Sequence, residues 1–171
     1  RVMHSVTSFI ERKLGLKVNA EKTHVCRPSK LKFLGYSFYY DYSHNKEWRP
    51  RPHEKSVTQF KDKLKGLCCR SWSVPMDYRI ERLNQTIRGW INYFRLGDMK
   101  GVLTTIDEHL RTMIRIVVWK QWKVPSARQK GLMRLGIDRD VARVTAYIGD
   151  HYQFVALKTC LSKAISKAVL K

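Results

Sequence analysis

Apolar residues recur along this chain with two different spacings, and the spacing changes about a third of the way along. From Val2 the spacing is helical, and Gly15 is expected to end this first helix. Short strands are expected at Leu16–Val18 and Lys22–Cys26. The aromatic segment 32–40 predicts a longer strand, because aromatic side chains are enriched in strands.

The aromatic strand is predicted to form one half of a hairpin. Polar residues 41–46 are expected to make the turn, and Glu47–Arg49 to be the returning strand. Residues 49–52 contain two prolines and are expected to end regular structure, because proline has no backbone donor. Gly35 interrupts the strand, which marks either the close approach of a ligand's backbone or a packing contact within the protein.

Beyond residue 53 the apolar spacing is helical throughout. Three long stripes comprise Val57, Phe60, Leu64, Leu67 and Cys68; Ile80, Leu83, Ile87, Trp90, Ile91 and Phe94; and Val102, Ile106, Leu110, Met113 and Val117. Shorter helices are expected around 125–136, around 138–149 and after 157. The predicted fold is α+β and mainly α, with an antiparallel hairpin in a first segment, 1–53, and a helical bundle in a second, 54–171.

The charge of the chain points to a polyanionic partner. Its 171 residues include 34 Lys and Arg against 14 Asp and Glu, a net charge of +20. Such an excess is typical of proteins that bind nucleic acid or an anionic membrane surface. No apolar run is long enough for a transmembrane helix and no signal peptide is visible, so a cytoplasmic location is expected. Because position 1 is Arg, the chain is expected to be part of a longer protein.

No catalytic or metal-binding motif is visible. The six histidines are scattered, and the four cysteines are expected to be free thiols. The carboxylates of Asp138 and Asp140 are interpreted as helix caps. We therefore expect neither a catalytic residue nor a metal or other cofactor in this chain.

A basic window is the best candidate for binding. Residues 109–137 contain seven Lys and Arg and no acid. At helical spacing Arg111, Arg115, Trp119 and Trp122 share one face, which suits phosphate contact combined with base stacking, although the two tryptophans could instead pack under the next helix. The stretch 151–171 is a second phosphate-facing surface or merely a solvated face. The RNA-binding candidates are Lys55, Lys61, Lys63, Lys65, Arg88, Arg111, Arg115, Trp119, Lys120, Trp122, Lys123, Arg128 and Lys130.

Several blocks resemble the reverse transcriptases encoded by bacterial group II introns. Residues 16–23 (LKVNAEKT) and 32–38 (KFLGYSF) are similar to the last reverse-transcriptase blocks. Residues 83–94 (LNQTIRGWINYF) resemble the signature of the maturase domain, which is also called the thumb or X domain, and 116–123 (IVVWKQWK) resemble the block that follows it. Within the signature, the spacing predicts that Trp90 and Phe94 belong to the core and that Arg88 is polar.

The resemblance implies an RNA-directed DNA polymerase that also helps its own intron RNA to fold and splice. It implies that Phe33, Leu34, Gly35 and Tyr36 correspond to the primer grip, which holds the growing cDNA end. The implied partners are group II intron RNA and the RNA template–DNA primer duplex. The family's Tyr-Ala-Asp-Asp motif is absent from the sequence, so Mg²⁺ is expected only in a palm active site preceding Arg1.

Two alternatives stay open at this point. The parent protein could be a stand-alone splicing factor without a polymerase, or residues 76–122 could hold the helix-turn-helix of an unrelated basic DNA-binding module. Separated from the rest of a palm, residues 1–53 are expected to be disordered, to repack on the helices or to pair with a second copy. Self-association through exposed strand edges is therefore a further expectation.

Overall fold

The computed structural model describes residues 1–43 and 46–165, so part of the expected hairpin turn and the end of the stretch 151–171 lie outside the described residues. The structure is 61% helix and 8% strand, which confirms a mainly helical fold with an N-terminal hairpin. None of the helices in the described part of the chain has the length and apolarity needed to cross a membrane. The elements are α1 (Val2–Leu14), β1 (Tyr36–Asp41), β2 (Glu47–Pro52), α2 (Glu54–Leu67), α3 (Met76–Tyr93), α4 (Lys100–Gln121), α5 (Pro125–Arg134), α6 (Arg139–Ala146), α7 (Tyr152–Leu157) and α8 (Thr159–Ala164).

The first segment contains the expected helix but not the expected short strands. Helix α1 ends at Gly15, whose φ of +62° is the left-handed conformation that favours glycine at a helix end. The strands predicted at 16–18 and 22–26 are wrong. Asn19 forms a turn there, because its side-chain oxygen accepts from the Lys22 amide at 3.1 Å and its carbonyl accepts from the Thr23 hydroxyl at 2.7 Å.

The hairpin is longer than the sequence predicted. Its antiparallel register runs from the pair Tyr36–Pro52 to the pair Asp41–Glu47, so the expectation that 49–52 ends regular structure is wrong. The carbonyl of Pro50 accepts from the Asp98 amide at 2.9 Å, outside the hairpin. Since the nitrogen and carbonyl of one strand residue point the same way, the proline nitrogen also faces away from β1 and no ladder bond is lost.

The helices form two hydrophobic cores that share helix α4. The first core lies between α2, α3 and most of α4, as the three apolar stripes predict, and the second lies between the end of α4 and the helices α5–α8. Phe94 is buried, whereas Trp90 is half-buried. The first core consists of Phe60, Leu64, Cys68, Leu83, Ile106, Ile114 and Val117, and the second of Trp119, Leu132, Ala142, Val155, Leu161, Ala164 and Ile165.

A buried arginine holds the connection between α2 and α3. Arg79 donates to the carbonyls of Leu67, Cys69 and Trp72, and its guanidinium lies 4.9 Å from the centre of the Trp72 ring. The Leu67 carbonyl lies at the C-terminal end of α2, and the other two carbonyls lie in the loop that follows. The positive charge of Arg79 therefore offsets the negative end of the helix dipole. Arg79 therefore has a structural role.

Candidate nucleic-acid interface

A groove of about 500 Å³ lies between the start of the hairpin, α2 and α3. Its floor is aromatic, because the Trp90 ring stacks on Phe60 with 4.5 Å between ring centres and 6° between planes. Much of one wall comes from the sequence block 83–94. The groove is lined by Leu34, Gly35, Ser56, Gln59, Phe60, Lys63, Gln85, Thr86, Gly89, Trp90, Tyr93 and Phe94.

Hydrogen bonds fix the hairpin side of the groove to the helices. The Tyr36 hydroxyl donates to the Tyr93 carbonyl at 2.7 Å, and the Tyr93 hydroxyl donates to the Leu34 carbonyl at 3.0 Å. The Gly35 carbonyl accepts from the Ser56 hydroxyl at 3.1 Å and from the His53 amide at 2.8 Å. The start of β1 is therefore part of one packed unit with α2 and α3, as expected of a repacked segment, whereas helix α1 has no buried residue.

Gly35 is required by the packing of this chain itself. Its φ is +77°, and a Cβ there would lie 3.0 Å from Ser56 Oγ and 3.3 Å from Phe94 Cζ. The space expected for a ligand's backbone is therefore filled by Ser56 and Phe94, and the packing alternative is confirmed. Phe33 and Leu34 remain 60% and 64% exposed, whereas Tyr36 is half-buried.

The middle of the groove wall contains a glycine at which a side chain would meet no other atom. Gly89 lies inside α3, and a Cβ there would have no neighbour within 4 Å. Glycine inside a helix costs about 1 kcal/mol relative to alanine, and no contact of Gly89 explains that cost. The missing side chain leaves the α3 backbone open to close approach from the groove, next to the polar side chains of Gln85 and Thr86.

The lysines of α2 lie on different faces of the helix. Lys63 lines the groove, whereas Lys61 and Lys65 are exposed on the opposite face of the helix by helical phase. Lys55 is exposed on the flank. Arg88 is exposed but lies about 130° around α3 from the groove-lining face, at 100° per residue.

One cation of the groove was missed by the sequence reasoning. Arg82 is exposed, and its Nη1 donates to Gln85 Oε1 at 3.0 Å, which places it one turn from the lining residues of α3. Positions 82, 85, 89 and 93 follow the spacing of a single helical face, which could have found it. Arg82 and Lys63 are thus the two cations that the structure places beside or within the groove.

Two residues of the basic window 109–137 point inward, and their expected contact with RNA is corrected. Trp119 is 0% exposed and its indole nitrogen donates to the Gly149 carbonyl at 3.0 Å, so no ring face is open to a base. Arg128 is 4% exposed and stacks 4.7 Å from the centre of the Trp119 ring. It donates to the carbonyls of Trp122 and Gly149 and to the Asp150 carboxylate.

Other members of the window are also committed to contacts within the protein. Arg111 pairs with Asp107 one turn earlier, and Arg115 donates to the Ile165 carbonyl at 3.3 Å. Burial, with a smaller effect of the Arg111 charge, lowers the pKa of Arg115. Arg115 therefore contributes to the packing of α4 against the end of the described chain, while its role in RNA binding stays a prediction.

The remaining candidates of the window are also divided between a residue that packs inside the protein and residues that are exposed. Trp122 is half-buried, and its ring lies so close to Gly131 that a Cβ there would be 2.4 Å away, so its expected stacking on bases is also corrected to packing. Lys120, Lys123 and Lys130 are exposed. These three lysines remain available for phosphate contact.

The family comparison is consistent with this geometry. Residues 57–136, just under half of the chain, match the model for the group II intron maturase-specific domain. No curated protein matched the chain. The match includes most of the groove-lining residues of α2 and α3, and it assigns 76–122 to the maturase-specific domain instead of an unrelated DNA-binding module. Residues 57–136 are thus similar to the group II intron maturase-specific domain, which confirms the resemblance of the chain to the C-terminal region of group II intron maturases and reverse transcriptases.

Proposed function

We propose that this chain binds structured group II intron RNA through the groove between the hairpin, α2 and α3. The maturase-specific domain supports a maturase-type role in splicing. The observation that carries the proposal is the composition of the groove, which combines an aromatic floor, amide side chains and Lys63. None of the described residues that line it is acidic.

The groove offers the interactions that RNA requires. Lys63 and Arg82 can neutralise phosphates, and their attraction adds to the field of a chain with a net charge of +20. Gln59 can both donate to and accept from a ribose 2′-hydroxyl, whereas the Gln85 amide is held between Arg82 and Glu81. Recognition of 2′-hydroxyls and helix shape distinguishes RNA from DNA, so the groove is suited to structured RNA.

A salt titration tests this proposal. The affinity for a structured intron RNA should fall about 10³-fold or more between 50 and 200 mM salt, because several phosphates are neutralised. A DNA duplex of equal length should bind more weakly at each salt concentration. A flat response to salt would contradict the electrostatic part, and equal affinity for the two nucleic acids would contradict RNA recognition.

A second candidate ligand is the duplex of an RNA template and a DNA primer. The observation in its favour is the exposed apolar pair Phe33 and Leu34, which lies immediately before β1 at the edge of the groove. Replacing Phe33, which does not line the groove, by Ser should weaken binding of such a duplex and leave intron RNA binding within about two-fold, because Phe33 contributes no charge. Equal losses for both ligands would remove this second function.

A further inference from the structure

A second surface with RNA-binding chemistry lies on the other core, outside the groove. Arg70 from the α2–α3 connection, Lys120 from α4, and Tyr152, Phe154 and Lys158 from the end of the described chain meet there; we name these five residues the aromatic–basic patch. Arg70 and Tyr152 also line a cavity of about 470 Å³, together with Phe154. The patch combines three segments that are far apart in the sequence.

Cations surround both rings of the aromatic–basic patch. The Arg70 guanidinium carbon lies 4.9 Å from the centre of the Tyr152 ring. Lys120 Nζ lies 5.7 Å from the same centre and donates to the Tyr152 hydroxyl at 3.4 Å. Lys158 Nζ lies 4.9 Å from the centre of the Phe154 ring. Each aromatic ring of the patch is thus accompanied by at least one positive charge.

The exposure of these groups is not explained by packing. Phe154 is 57% exposed, and Arg70, Lys120 and Lys158 are exposed as well. Asp150 accepts a hydrogen bond from Arg128 at 2.8 Å, and this bond lowers the pKa of its carboxyl, with further lowering by Tyr152 and by the Lys120 charge. Asp150 is therefore already paired with a cation of the second core.

We propose that the aromatic–basic patch binds an unpaired nucleotide of the RNA, with a base stacked on Phe154 and the flanking phosphates held by Lys158, Lys120 and Arg70. This inference rests on the proposed RNA binding and adds a separate site to it. Every base presents a π-face to an exposed ring, and an arginine plane that is already stacked on tyrosine extends the stacking platform. The lysines complement the phosphate charge that accompanies each base.

The site lies partly outside the maturase-specific match. Tyr152, Phe154 and Lys158 follow residue 136, where the match ends, whereas Arg70 and Lys120 lie inside it. The patch therefore connects the matched domain to the region that follows it. An RNA whose paired portion occupies the groove and whose unpaired portion reaches the patch would contact both parts of the chain.

The test compares two RNA hairpins with the full 171-residue chain. One hairpin is fully paired, and the other carries a four-nucleotide single-stranded 3′ extension that contains 2-aminopurine. For the unaltered protein, the extension should tighten binding, and 2-aminopurine fluorescence should be quenched by stacking. Phe154→Leu should lose the quenching and at least about five-fold of the affinity gained from the extension, because stacking on one base contributes at least that much.

Two further variants test whether the quenching depends on the patch in particular and not on any exposed ring or positive charge. Tyr147→Leu removes another exposed aromatic ring, which has no cation partner among the described contacts, and should leave quenching and both affinities unchanged. Arg70→Lys keeps the charge but removes the planar group, so it should reduce the quenching while the fully paired hairpin binds as before.

The outcomes distinguish this inference from the proposed function. Failure of the unaltered protein to bind either hairpin would overturn both. Binding of both hairpins, with Phe154→Leu retaining the quenching and the affinity gain, would overturn the patch and leave the groove proposal intact. Equal weakening of both hairpins by Phe154→Leu would also overturn the patch, because a stacking site for an unpaired base does not contact the fully paired RNA.

Discussion

The two cores of this chain differ in the surfaces around them, although each is accompanied by one buried arginine. Around the first core, Lys63 and Arg82 lie beside an open groove, and the core itself consists of apolar side chains and one thiol. Around the second core, Arg128 is buried against Trp119 and binds two backbone carbonyls and a carboxylate. Arg79 joins segments at the first core in the same way as Arg128 does at the second, so the cations open to a ligand are the exposed ones and not the buried arginines.

The difference between buried and exposed cations shows that a segment rich in Lys and Arg does not necessarily form a basic surface. The window 109–137 has the most suggestive composition, yet Trp119 and Arg128 are inside the protein. The block 83–94 has the pattern of a core helix, yet Gly89 and Trp90 line the groove. Burial decides which cations are available for phosphate, and burial depends on contacts between distant segments.

The largest expected effect concerns Trp119. Trp119→Ala should lower the free energy of unfolding by about 3–5 kcal/mol, because it empties a fully buried site and removes one of the two side-chain donors to the Gly149 carbonyl. Urea denaturation measures this change. Trp48→Ala, which removes a 44% exposed ring of the hairpin, is the matched control and should cost far less. A folded Trp119→Ala protein of unchanged stability that binds RNA poorly would restore the base-stacking role.

A somewhat smaller loss is expected from Arg128→Met. The variant should lose about 1–3 kcal/mol of stability, the usual cost of one orphaned buried acceptor, because the Trp122 carbonyl loses its side-chain donor whereas the Gly149 carbonyl keeps the Trp119 indole. Lys130→Met changes an exposed residue of the same helix and should stay within about 0.5 kcal/mol. Thermal denaturation of the two variants distinguishes a structural arginine from a surface cation, and equal melting temperatures would contradict the assignment.

Gly35→Val tests the packing of the hairpin on the first core. A cost of at least about 1–2 kcal/mol is expected from the positive φ alone, and the contacts with Ser56 and Phe94 add to it. Hydrogen exchange at the His53 amide, which donates to the Gly35 carbonyl, should become faster. Unchanged exchange would show that Gly35 is not held as described. Because the variant also disturbs the groove wall, loss of cDNA synthesis in a longer enzyme would not by itself identify a primer grip.

The adjacent thiols of the first core provide a smaller, pH-dependent effect. Burial raises the pKa of Cys68 to about 11, whereas the Ser71 hydroxyl, 3.1 Å from the sulfur, lowers the pKa of exposed Cys69. Thiol labelling at pH 8, followed by peptide mapping, should therefore modify Cys69 first. The contribution of Cys68 to stability is present below its ordinary pKa of about 9 and is lost as the pH rises through about 11. Equal labelling rates would contradict the burial of Cys68.

Local patterns predicted most of the helical fold. Apolar spacing identified the three long helices, and Gly15 was correctly expected to end the first helix. The extension of β2 through Pro52 could not be predicted, because it depends on the outward-facing carbonyl of Pro50 meeting Asp98. The aromatic–basic patch was missed for a similar reason, since only folding brings Arg70 beside Tyr152.

The most direct test of the groove as the RNA-binding site is a comparison of salt dependence between two double variants of equal charge. Lys63→Gln with Arg82→Gln removes the cations of the groove, and Lys61→Gln with Lys65→Gln removes two from the opposite face of α2. We expect the groove variant to reduce the slope of log K against log salt by about 2, and the control to leave it unchanged. Equal slopes for the two variants would contradict the assignment of RNA binding to the groove.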